Sequence, residues 1–500
     1  MNYISTRDKN VKLTGAQAIL QGLSRDGGLL LPDAFPTLDL EEIGQLAPLS
    51  YPMRSAQIMK LFLEEFSIGE LAKFTQEAYG KSKFDDGDAA PVIQVNDAVA
   101  LGEATYFMEL WHGPTSAFKD VALQMLPRLL SASLTKTGEE RDVCILVATS
   151  GDTGKAALEG FCDVDRTKIM VFYPRDGVSD IQKLQMMTQE GGNVGVCSVL
   201  GNFDDAQTGV KRIFSDEAFR DELDANGYFL SSANSINWGR LLPQIVYYFS
   251  AYCDLVNSGI VEPGDKINFC VPTGNFGNIL AGYFAMKMGL PVNKFICASN
   301  SNDVLADFIK TGTYDRRREF FATTSPSMDI LISSNLERLL FDLSSNDDAL
   351  IAQYMKSLND DGAYTVDAEL LRKLQAIFEC GSVSDERVAN IIKSVFAQCN
   401  YLMDTHTAVA YGAYSDYRRE SGDDTPTVVL STASPYKFAE AVIDALGGNA
   451  TGDGFELIDA LEAIEGKAAP APLKALRGKP VRFKDETEKD AMLGVVKGML

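Results

Sequence analysis

The sequence predicts an α/β protein in which mostly parallel sheets are flanked by helices. From about residue 140 onward, short apolar runs rich in β-branched residues recur along the chain. Each run is followed by a loop rich in Gly, Asn, Ser or Thr and then by a helical pattern. Continuous apolar strands that alternate with helices are typical of parallel sheets covered on both faces. Ligands of such sheets gather at the carboxyl ends of the strands, so we expect a site at the strand-to-helix junctions.

The runs predicted as strands are residues 143–149, 168–173, 194–200, 267–273, 294–299 and 427–433. Residues before about 90 lack this alternation, and Pro breaks between amphipathic pieces predict helices there. Residues 315–400 are again polar and helical in pattern, which predicts an insertion or cap. The expected units are therefore an N-terminal domain at 1–90, a large domain formed by 91–142 and 225–445, a small domain at 143–224 and a C-terminal segment at 446–500.

Composition narrows the function before any motif is considered. A chain of 500 residues with 46% hydrophobic and 23% charged residues is ordinary for a soluble globular protein. Its formal net charge of −23 repels nucleic acid and anionic lipid, so neither is an expected partner. The N-terminus shows no apolar leader, and the longest apolar stretch, residues 241–256, is too short to span a bilayer.

Cysteine and histidine usage excludes two further classes of site. The eight cysteines form no C-x-x-C pair and lie mostly in apolar runs, which indicates buried thiols in a reducing cytoplasm. Only two histidines are present, His112 and His406, so a multi-histidine zinc site or a histidine relay is excluded and no metal is expected. The simplest interpretation of each histidine is a structural one, although histidine is also the commonest catalytic acid or base.

Lys119 is the first candidate for chemistry. It follows a turn fixed by Gly113 and Pro114 and opens an apolar helical pattern. Desolvation disfavours an ammonium, so a lysine among apolar residues has a lowered pKa and can act as an amine nucleophile or Schiff-base former. The alternative is an ordinary solvated lysine in the first turn of a helix.

Four segments offer polar groups; three of them lie at the ends of predicted strands, and the fourth, residues 231–240, precedes a predicted helix. Residues 273–278 can cradle a phosphate with successive amides and a helix N-terminus, or form a glycine-rich helix cap. Residues 150–155 offer hydroxyls, amides and a lysine, but lack the spacing of a nucleotide triphosphatase loop. Residues 231–240 add the guanidinium fork of Arg240, or form a capped loop with a surface arginine. Residues 430–435 place hydroxyls at the sheet edge, which an N-cap explains as well.

Taken together, these segments resemble the pyridoxal-phosphate-dependent threonine synthase family, within the fold-type II (tryptophan-synthase-β-like) group. The matching segments run in family order along nearly the whole chain: residues 4–7, 22–28, 112–120, 149–157, 272–282, 325–341, 404–412 and 430–438. One such segment is weak evidence, but the set is specific. The N-terminal segments favour threonine synthase over the shorter dehydratases and cysteine synthases.

The resemblance implies that pyridoxal 5'-phosphate is bound covalently by Lys119, which then serves as general base and acid at the substrate carbons. Thr432 would hydrogen-bond the pyridine nitrogen, and a hydroxyl there makes the ring a weaker electron sink than a carboxylate does. The cofactor phosphate would be bound by Gly274, Asn275, Phe276, Gly277 and Asn278. The substrate carboxylate would be held by Ser150, Gly151, Asp152 and Thr153. The candidates for the substrate phosphate are Lys155, Asn234, Ser235 and Arg240.

Asp152 departs from the pattern of many fold-type II relatives, which have an Asn that donates to the ring oxygen of the cofactor. An ionised Asp can only accept hydrogen bonds. Three roles stay open for it: a protonated carboxyl, a helix cap, or a group that orients the neighbouring amides.

The implied reaction converts O-phospho-L-homoserine and water to L-threonine and phosphate, the last step of threonine biosynthesis, by γ-elimination and β-addition of water. Such an enzyme is a lyase. Two alternatives stay open: another fold-type II lyase, such as a threonine dehydratase or cysteine synthase, and a catalytically silent homologue. A small-molecule substrate is the expected partner, and the chain is expected to be a cytoplasmic monomer or homodimer.

Overall fold

The computed structural model describes residues 1–96, 104–176 and 178–500. The N-terminal part of the chain is mainly helical, and capping boxes at Thr14, Asp39 and Ser67 start three of its helices. The elements up to residue 137 are β1 (Tyr3–Ser5), α1 (Gly15–Gln21), β2 (Leu30–Pro32), α2 (Leu40–Leu46), α3 (Tyr51–Phe62), α4 (Ile68–Tyr79), β3 (Val92–Asn96), β4 (Ala104–Glu109), α5 (Lys119–Leu123) and α6 (Leu126–Thr137).

Strands and helices then alternate, as the sequence predicts. The elements up to residue 257 are β5 (Asp142–Ala148), α7 (Asp152–Phe161), β6 (Thr167–Pro174), α8 (Asp180–Met187), β7 (Val194–Val199), α9 (Phe203–Ser215), α10 (Glu217–Ala225), β8 (Tyr228–Ser231) and α11 (Trp238–Asn257). β6, β7 and β9 (Ile267–Pro272) are buried almost throughout, which is why their sequences are continuous apolar runs.

The C-terminal half completes both sheets. Its remaining elements are α12 (Gly277–Lys287), β10 (Val292–Ser299), α13 (Val304–Thr311), β11 (Thr313–Asp315), α14 (Leu336–Leu343), α15 (Asp348–Asp360), β12 (Ala363–Thr365), α16 (Ala368–Ile377), β13 (Phe378–Ser382), α17 (Asp385–Cys399), α18 (Thr405–Ser421), β14 (Thr427–Ser431), α19 (Ala439–Ala445), α20 (Gly454–Glu465), α21 (Ala471–Lys474), β15 (Glu486–Thr487) and α22 (Met492–Met499). Short 3₁₀ turns include Pro326–Met328 and Pro435–Phe438.

Two sheets organise the described residues. The large sheet has the order β13-β10-β9-β14-β4-β3, with all neighbours parallel except the antiparallel edge strand β3. The small sheet has the order β15-β7-β6-β5-β8 and is parallel throughout. Parallel sheets flanked by helices confirm the predicted α/β class, and the carboxyl ends of β5, β8, β9 and β14 lead into the four predicted polar segments.

The structure differs from the predicted units at three short strands. β8 pairs with β5 in the small sheet, although its residues were assigned to the large domain. β13 forms an edge of the large sheet inside the segment predicted to be helical, and β15 from the C-terminal segment joins the small sheet. Each of these strands lies at a sheet edge and is only partly buried, so none has the continuous apolar run by which the sequence marks a central strand.

Helix α11 forms the centre of the apolar core. It packs against α3, α5 and α12, and nearly all its residues are buried. The ring of Trp238 at its start lies 5.6 Å from the rings of both Tyr3 and Phe62. The N-terminal helices therefore share one core with the helix that follows the small sheet.

All eight cysteines are free thiols, and five of them are buried. In the parts of the chain that the structure describes, no group of three or more His, Cys, Asp or Glu side chains is placed to bind a metal ion. Those same ranges contain no helix that is both long and apolar enough to cross a membrane.

Candidate active site

A backbone pairing brings the Lys119 segment next to the end of β14. The amide of Phe118 donates to the Thr432 carbonyl at 2.8 Å, and the amide of Ser434 donates to the Ser116 carbonyl at 3.1 Å. Lys119, the first residue of α5, and Thr432, the first residue after β14, therefore lie close together although more than three hundred positions separate them.

The Lys119 side chain is only 12% exposed and has two polar neighbours. Its Nζ donates to Ser327 Oγ at 3.4 Å and lies 3.9 Å from Asp152 Oδ2. Burial is the main cause that lowers the pKa of this amine to about 8; the charge of Asp152 opposes it, and the charges of Arg240 and Lys437 add to it. An amine with this pKa releases its proton at mild pH, as a nucleophile or proton carrier requires.

Asp152 is an ionised carboxylate held by a buried lysine. Its Oδ1 accepts from Lys437 Nζ at 2.6 Å and from Gln182 Nε2 at 2.8 Å. Burial acts to raise the pKa of Asp152, but the charges of Lys437 and Lys119 outweigh it, so the pKa lies well below its usual value. The protonated carboxyl among its three open roles is therefore disfavoured. Lys437 is 2% exposed and also donates to the Thr115 carbonyl at 2.9 Å.

The glycine loop after β9 exposes a row of unsatisfied donors. Five consecutive backbone amides have no acceptor among the described residues, namely those of Gly274, Asn275, Phe276, Gly277 and Asn278. Phe276 adopts φ 61°, which turns the chain sharply at the start of α12. Asn278 is buried, and its Nδ2 also lacks a partner. A run of free amides at a helix N-terminus fits an anion such as phosphate.

The glycine loop is held from behind by the segment that leads into α14. Ser333 Oγ donates to the Gly274 carbonyl at 2.7 Å, and Asn335 donates to the Asn275 carbonyl from its amide at 3.1 Å and from Nδ2 at 3.0 Å. Arg338, with 0% exposure, donates to the carbonyls of Leu30 and Ile236. The bonds from Ser333 and Asn335 occupy the carbonyls of Gly274 and Asn275, so the free backbone groups of these two loop residues are their amides.

The loop after β5 presents amides beside the Asp152 carboxylate. Thr149 Oγ1 accepts from the amides of Gly151 at 3.0 Å and Gly154 at 2.9 Å, while the amides of Ser150 and Thr153 have no acceptor among the described residues. Gly151 has φ 144°, and a Cβ there would lie 2.6 Å from the Gln182 side chain. Only glycine fits this turn.

Arg240 and Lys155, both predicted to be candidates for the substrate phosphate, differ in their surroundings. Arg240 is buried, its Nη1 donates to the Ala233 carbonyl at 2.7 Å, and no carboxylate pairs with it among the described residues. Burial lowers the pKa of Arg240 to about 10. Lys155 is instead held by Glu159 at 3.2 Å and by Gln189, so its charge is already paired. This difference favours Arg240 over Lys155 as the cation for a substrate anion, and the role of Lys155 stays a prediction.

The other two predicted phosphate candidates lie in the same loop as Arg240. Asn234 is exposed, and Ser235 is half-buried with its Oγ accepting from Asn335 Nδ2 at 3.2 Å. Through Asn335 this loop is connected to the glycine loop. Two different predicted loops are thus joined by one asparagine that sequence reasoning did not single out.

Sequence reasoning also missed several buried polar side chains around Lys119. Lys437 neutralises Asp152, and Ser327 contacts the amine itself. Ser116 and Ser434 carry buried hydroxyls without partners in the pairing that holds the Lys119 segment. Their motifs were recognised, but a serine or lysine in a motif carries no sign of the direction in which its side chain points.

Comparison with known families covers nearly the whole chain. Three family models match: Threonine synthase N terminus over residues 2–79, Pyridoxal-phosphate dependent enzyme over residues 85–433, and Threonine synthase, C-terminal over residues 407–495. The chain is 40% identical to the threonine synthase of Pseudomonas aeruginosa over 466 residues, which cover 93% of this chain and 94% of that protein.

Two further curated relatives show how the chain length compares. The chain is 38% identical to the threonine synthase of Saccharomyces cerevisiae over 470 residues, with 89% of each covered. It is 41% identical to human threonine synthase-like 1 over 441 residues, which cover 86% of this chain and 58% of that protein. The chain thus spans about three fifths of the threonine synthase-like 1 proteins that it matches.

Solved structures agree with the family models. The chain is similar to PLP-bound threonine synthase from Brucella melitensis with a TM-score of 0.87 and 37% identity, covering 100% of this chain and 98% of that one. It is similar to threonine synthase from yeast with a TM-score of 0.88 and 35% identity, with 100% and 98% covered. The solved structures and the family models thus point to the same family over nearly the full length of the chain.

Proposed function

This chain belongs to the threonine synthase family of pyridoxal-phosphate-dependent enzymes, and on that premise we propose that it converts O-phospho-L-homoserine and water to L-threonine and phosphate. The observation that carries the proposal is the buried guanidinium of Arg240, which has no carboxylate partner among the described residues and whose charge acts on the Lys119 amine. A buried, unpaired cation is costly unless an anion joins it. The substrate phosphate supplies such an anion.

The described residues fit pyridoxal phosphate as the cofactor. The free amides of the glycine loop suit its phosphate, and the buried amine of Lys119 suits its aldehyde. The hydroxyl of Thr432 is a neutral partner for its ring nitrogen. When bound, pyridoxal phosphate supplies an electron-withdrawing ring that makes protons on the neighbouring substrate carbons removable.

The chain's own groups divide the remaining work. Lys119 takes and returns protons at the substrate Cα and Cβ, since its pKa of about 8 lets it exist in both protonation states near neutral pH. The amides of Ser150 and Thr153 hold the substrate carboxylate, and Arg240 holds the leaving phosphate with the help of Asn234 and Ser235.

Charge balance favours a doubly anionic substrate over a neutral one. Lys437 cancels Asp152 within the buried pair, and Arg240 is a buried cation that no carboxylate balances among the described residues. Phosphohomoserine brings a carboxylate and a phosphate, whereas the substrates of dehydratases and cysteine synthases bring a carboxylate and an uncharged side chain. The structure therefore supports the phosphate ester over those alternatives.

The test of the proposal is a comparison of substrates on one purified protein. We expect phosphate release and threonine formation from O-phosphohomoserine, and much slower reaction with serine, threonine or O-acetylserine. Ketoacid from threonine without phosphate release from O-phosphohomoserine would contradict the proposal. No reaction with any of them would favour a catalytically silent homologue.

Borohydride trapping identifies the lysine that binds the cofactor. We expect the label on Lys119 alone, and Lys119→Ala should lose activity by roughly 10²–10⁴-fold or more while keeping the fold. Lys73→Ala is the matched control, because that side chain is 72% exposed and lies on a helix surface. We also propose that the protein is cytoplasmic and works as a monomer or homodimer. Gel filtration with light scattering measures the oligomeric state.

A further inference from the structure

A buried aspartate–histidine pair lies directly behind the Lys119 site. Asp404 is 0% exposed and caps α18, and its Oδ2 accepts from His406 Nδ1 at 2.6 Å and from the His406 amide at 2.9 Å. Its Oδ1 accepts from the Thr407 amide at 3.1 Å. A carboxylate with these donors only accepts, so the proton between it and the ring belongs to His406 Nδ1.

The other ring nitrogen of His406 has a partner that fixes its state as well. Nε2 lies 3.2 Å from the backbone amide of Ser327. A backbone amide can only donate, so Nε2 accepts and carries no proton. His406 is 3% exposed, and its two contacts together define a neutral imidazole protonated on Nδ1.

Ser327 connects this imidazole to the site. It lies in the 3₁₀ turn Pro326–Met328, and its Oγ accepts from Lys119 Nζ at 3.4 Å. A second contact holds the same segment, because Thr405 Oγ1 donates to the Thr324 carbonyl at 2.7 Å. The start of α18 thus holds the segment 324–327 at two residues, Thr324 just before the turn and Ser327 within it, and Ser327 is the residue that touches the lysine.

Lys119 needs a neutral hydrogen-bond partner that stays in place while the amine gains and loses a proton. Asp152 does not provide one, since it lies 3.9 Å away and is engaged by Lys437 and Gln182. A serine hydroxyl can both accept from an ammonium and donate to a neutral amine. To stay in place for both roles, the hydroxyl needs a backbone that other contacts hold, because a short 3₁₀ turn supplies little rigidity of its own.

We propose that His406 is a positioning residue: as a neutral, Nδ1-protonated imidazole backed by Asp404, it holds the Ser327 amide and thereby fixes the Ser327 hydroxyl against the Lys119 amine. The proposal rests on the proposed function only for what Lys119 does to the substrate. The tautomer of His406 is a property of the protein itself.

Histidine NMR tests the tautomer without any assay of turnover. Protein labelled with ¹⁵N-histidine gives signals from two rings only, and His112→Gln identifies which is which. At neutral pH we expect His406 to show a protonated Nδ1 and an unprotonated Nε2. A proton on Nε2, or a charged ring, overturns the proposal whether or not the protein makes threonine.

Side-chain substitutions test the positioning role. In His406→Gln the amide oxygen can reach the Ser327 amide as Nε2 does, whereas in His406→Asn the shorter side chain keeps only the contact with Asp404. We expect kcat to fall about 10–100-fold in His406→Asn, with KM changed less than about threefold, and to recover most of this loss in His406→Gln. Equal losses in the two variants would contradict the proposal.

A double-mutant cycle separates positioning from a general structural role. Ser327→Ala removes the hydroxyl and leaves the amide contact with His406. If His406 acts through Ser327, the double variant His406→Asn/Ser327→Ala has about the same kcat as either single variant. Losses that multiply would show that the two residues act independently and would overturn the proposal. Bound cofactor, measured by its visible absorbance, shows that each variant is folded.

Discussion

The two strand-to-helix loops proposed to bind anions near Lys119 differ in the charge that they carry. The glycine loop, residues 274–278, contains no ionisable side chain and presents only uncharged donors, mostly backbone amides. The loop at residues 150–153 carries Asp152, whose charge a fully buried lysine must balance. A group that stays bound can rely on fixed dipoles, whereas a loop that receives an exchanging substrate also controls the charge around the reacting amine.

The substitution with the largest expected effect removes Lys437, the cation that balances Asp152. Lys437→Met leaves Asp152 buried without its closest cation, so we expect the free energy of unfolding to fall by about 3–5 kcal/mol. Adding Asp152→Asn should restore most of it, because no buried charge then lacks a partner. Urea unfolding of the single and double variants measures both effects. A fall in the free energy of unfolding of less than about 1 kcal/mol in Lys437→Met would show that Lys437 is not needed to balance the charge of Asp152.

The pH dependence of the free energy of unfolding tests the charged surroundings of Lys119. The pKa of Lys119 is about 8 in the folded, cofactor-free chain, while an unfolded lysine has a pKa of about 10.4. The unfolded state binds the proton more tightly, so the lysine destabilises the fold below pH 8 and this cost vanishes as the pH rises toward 10.4. Lys119→Met should lack this rise, which amounts to at most about 3 kcal/mol. Urea midpoints across this pH range, compared between the two proteins, measure it.

Substitution of Arg240, the cation proposed to receive the substrate phosphate, has an intermediate expected effect. Arg240→Gln should lower kcat/KM for O-phosphohomoserine about 30–100-fold, which corresponds to roughly 2–3 kcal/mol. Lys155→Met is the matched comparison, since Lys155 is paired with Glu159, and Glu159 keeps a second partner in Lys83 at 3.2 Å. We expect it to change kcat/KM less than about threefold. The opposite order of effects would assign the phosphate to Lys155.

The smallest expected effect is that of a substitution in the glycine loop. A Cβ at Gly274 would lie 3.0 Å from the Ser327 carbonyl oxygen, so Gly274→Ala pushes the loop against the turn behind it. We expect cofactor affinity to fall about tenfold, or 1.4 kcal/mol. Gly277→Ala should lose much less, because its nearest neighbour is the Asn335 side chain at 3.3 Å. Absorbance titration of stripped protein measures both, and equal losses would mean that the fit of this loop does not depend on the turn.

The sequence predicted the central strands and the loops that follow them because these have strong local patterns. β6, β7 and β9 are buried on both faces and are therefore continuous apolar runs. Lys119 and the glycine loop could likewise be found, since each combines residue types whose local chemistry is unusual. Edge strands such as β13 were missed because half-buried positions tolerate polar residues.

The side chains that set the charge and hydrogen bonds of the site could not be predicted in the same way. Nothing in the order of residues near Lys437 reveals that its amine turns inward to Asp152, nearly three hundred positions away. His406 resembled a structural histidine because its partner Ser327 lies 79 residues earlier. Such contacts are products of tertiary packing, and only the folded chain displays them.

The position of β14 determines when the site can form during protein synthesis. β14 lies between β9 and β4, so until it leaves the ribosome the large sheet exists only as two parts with unpaired inner edges. Thr432 and Lys437 follow this strand directly, and both arrive after every other part of the site has been translated. Pairing across such long separations is slow. The nascent chain must therefore keep two strand edges apart from other chains, and the candidate active site cannot be complete before the residues that follow β14 have been translated.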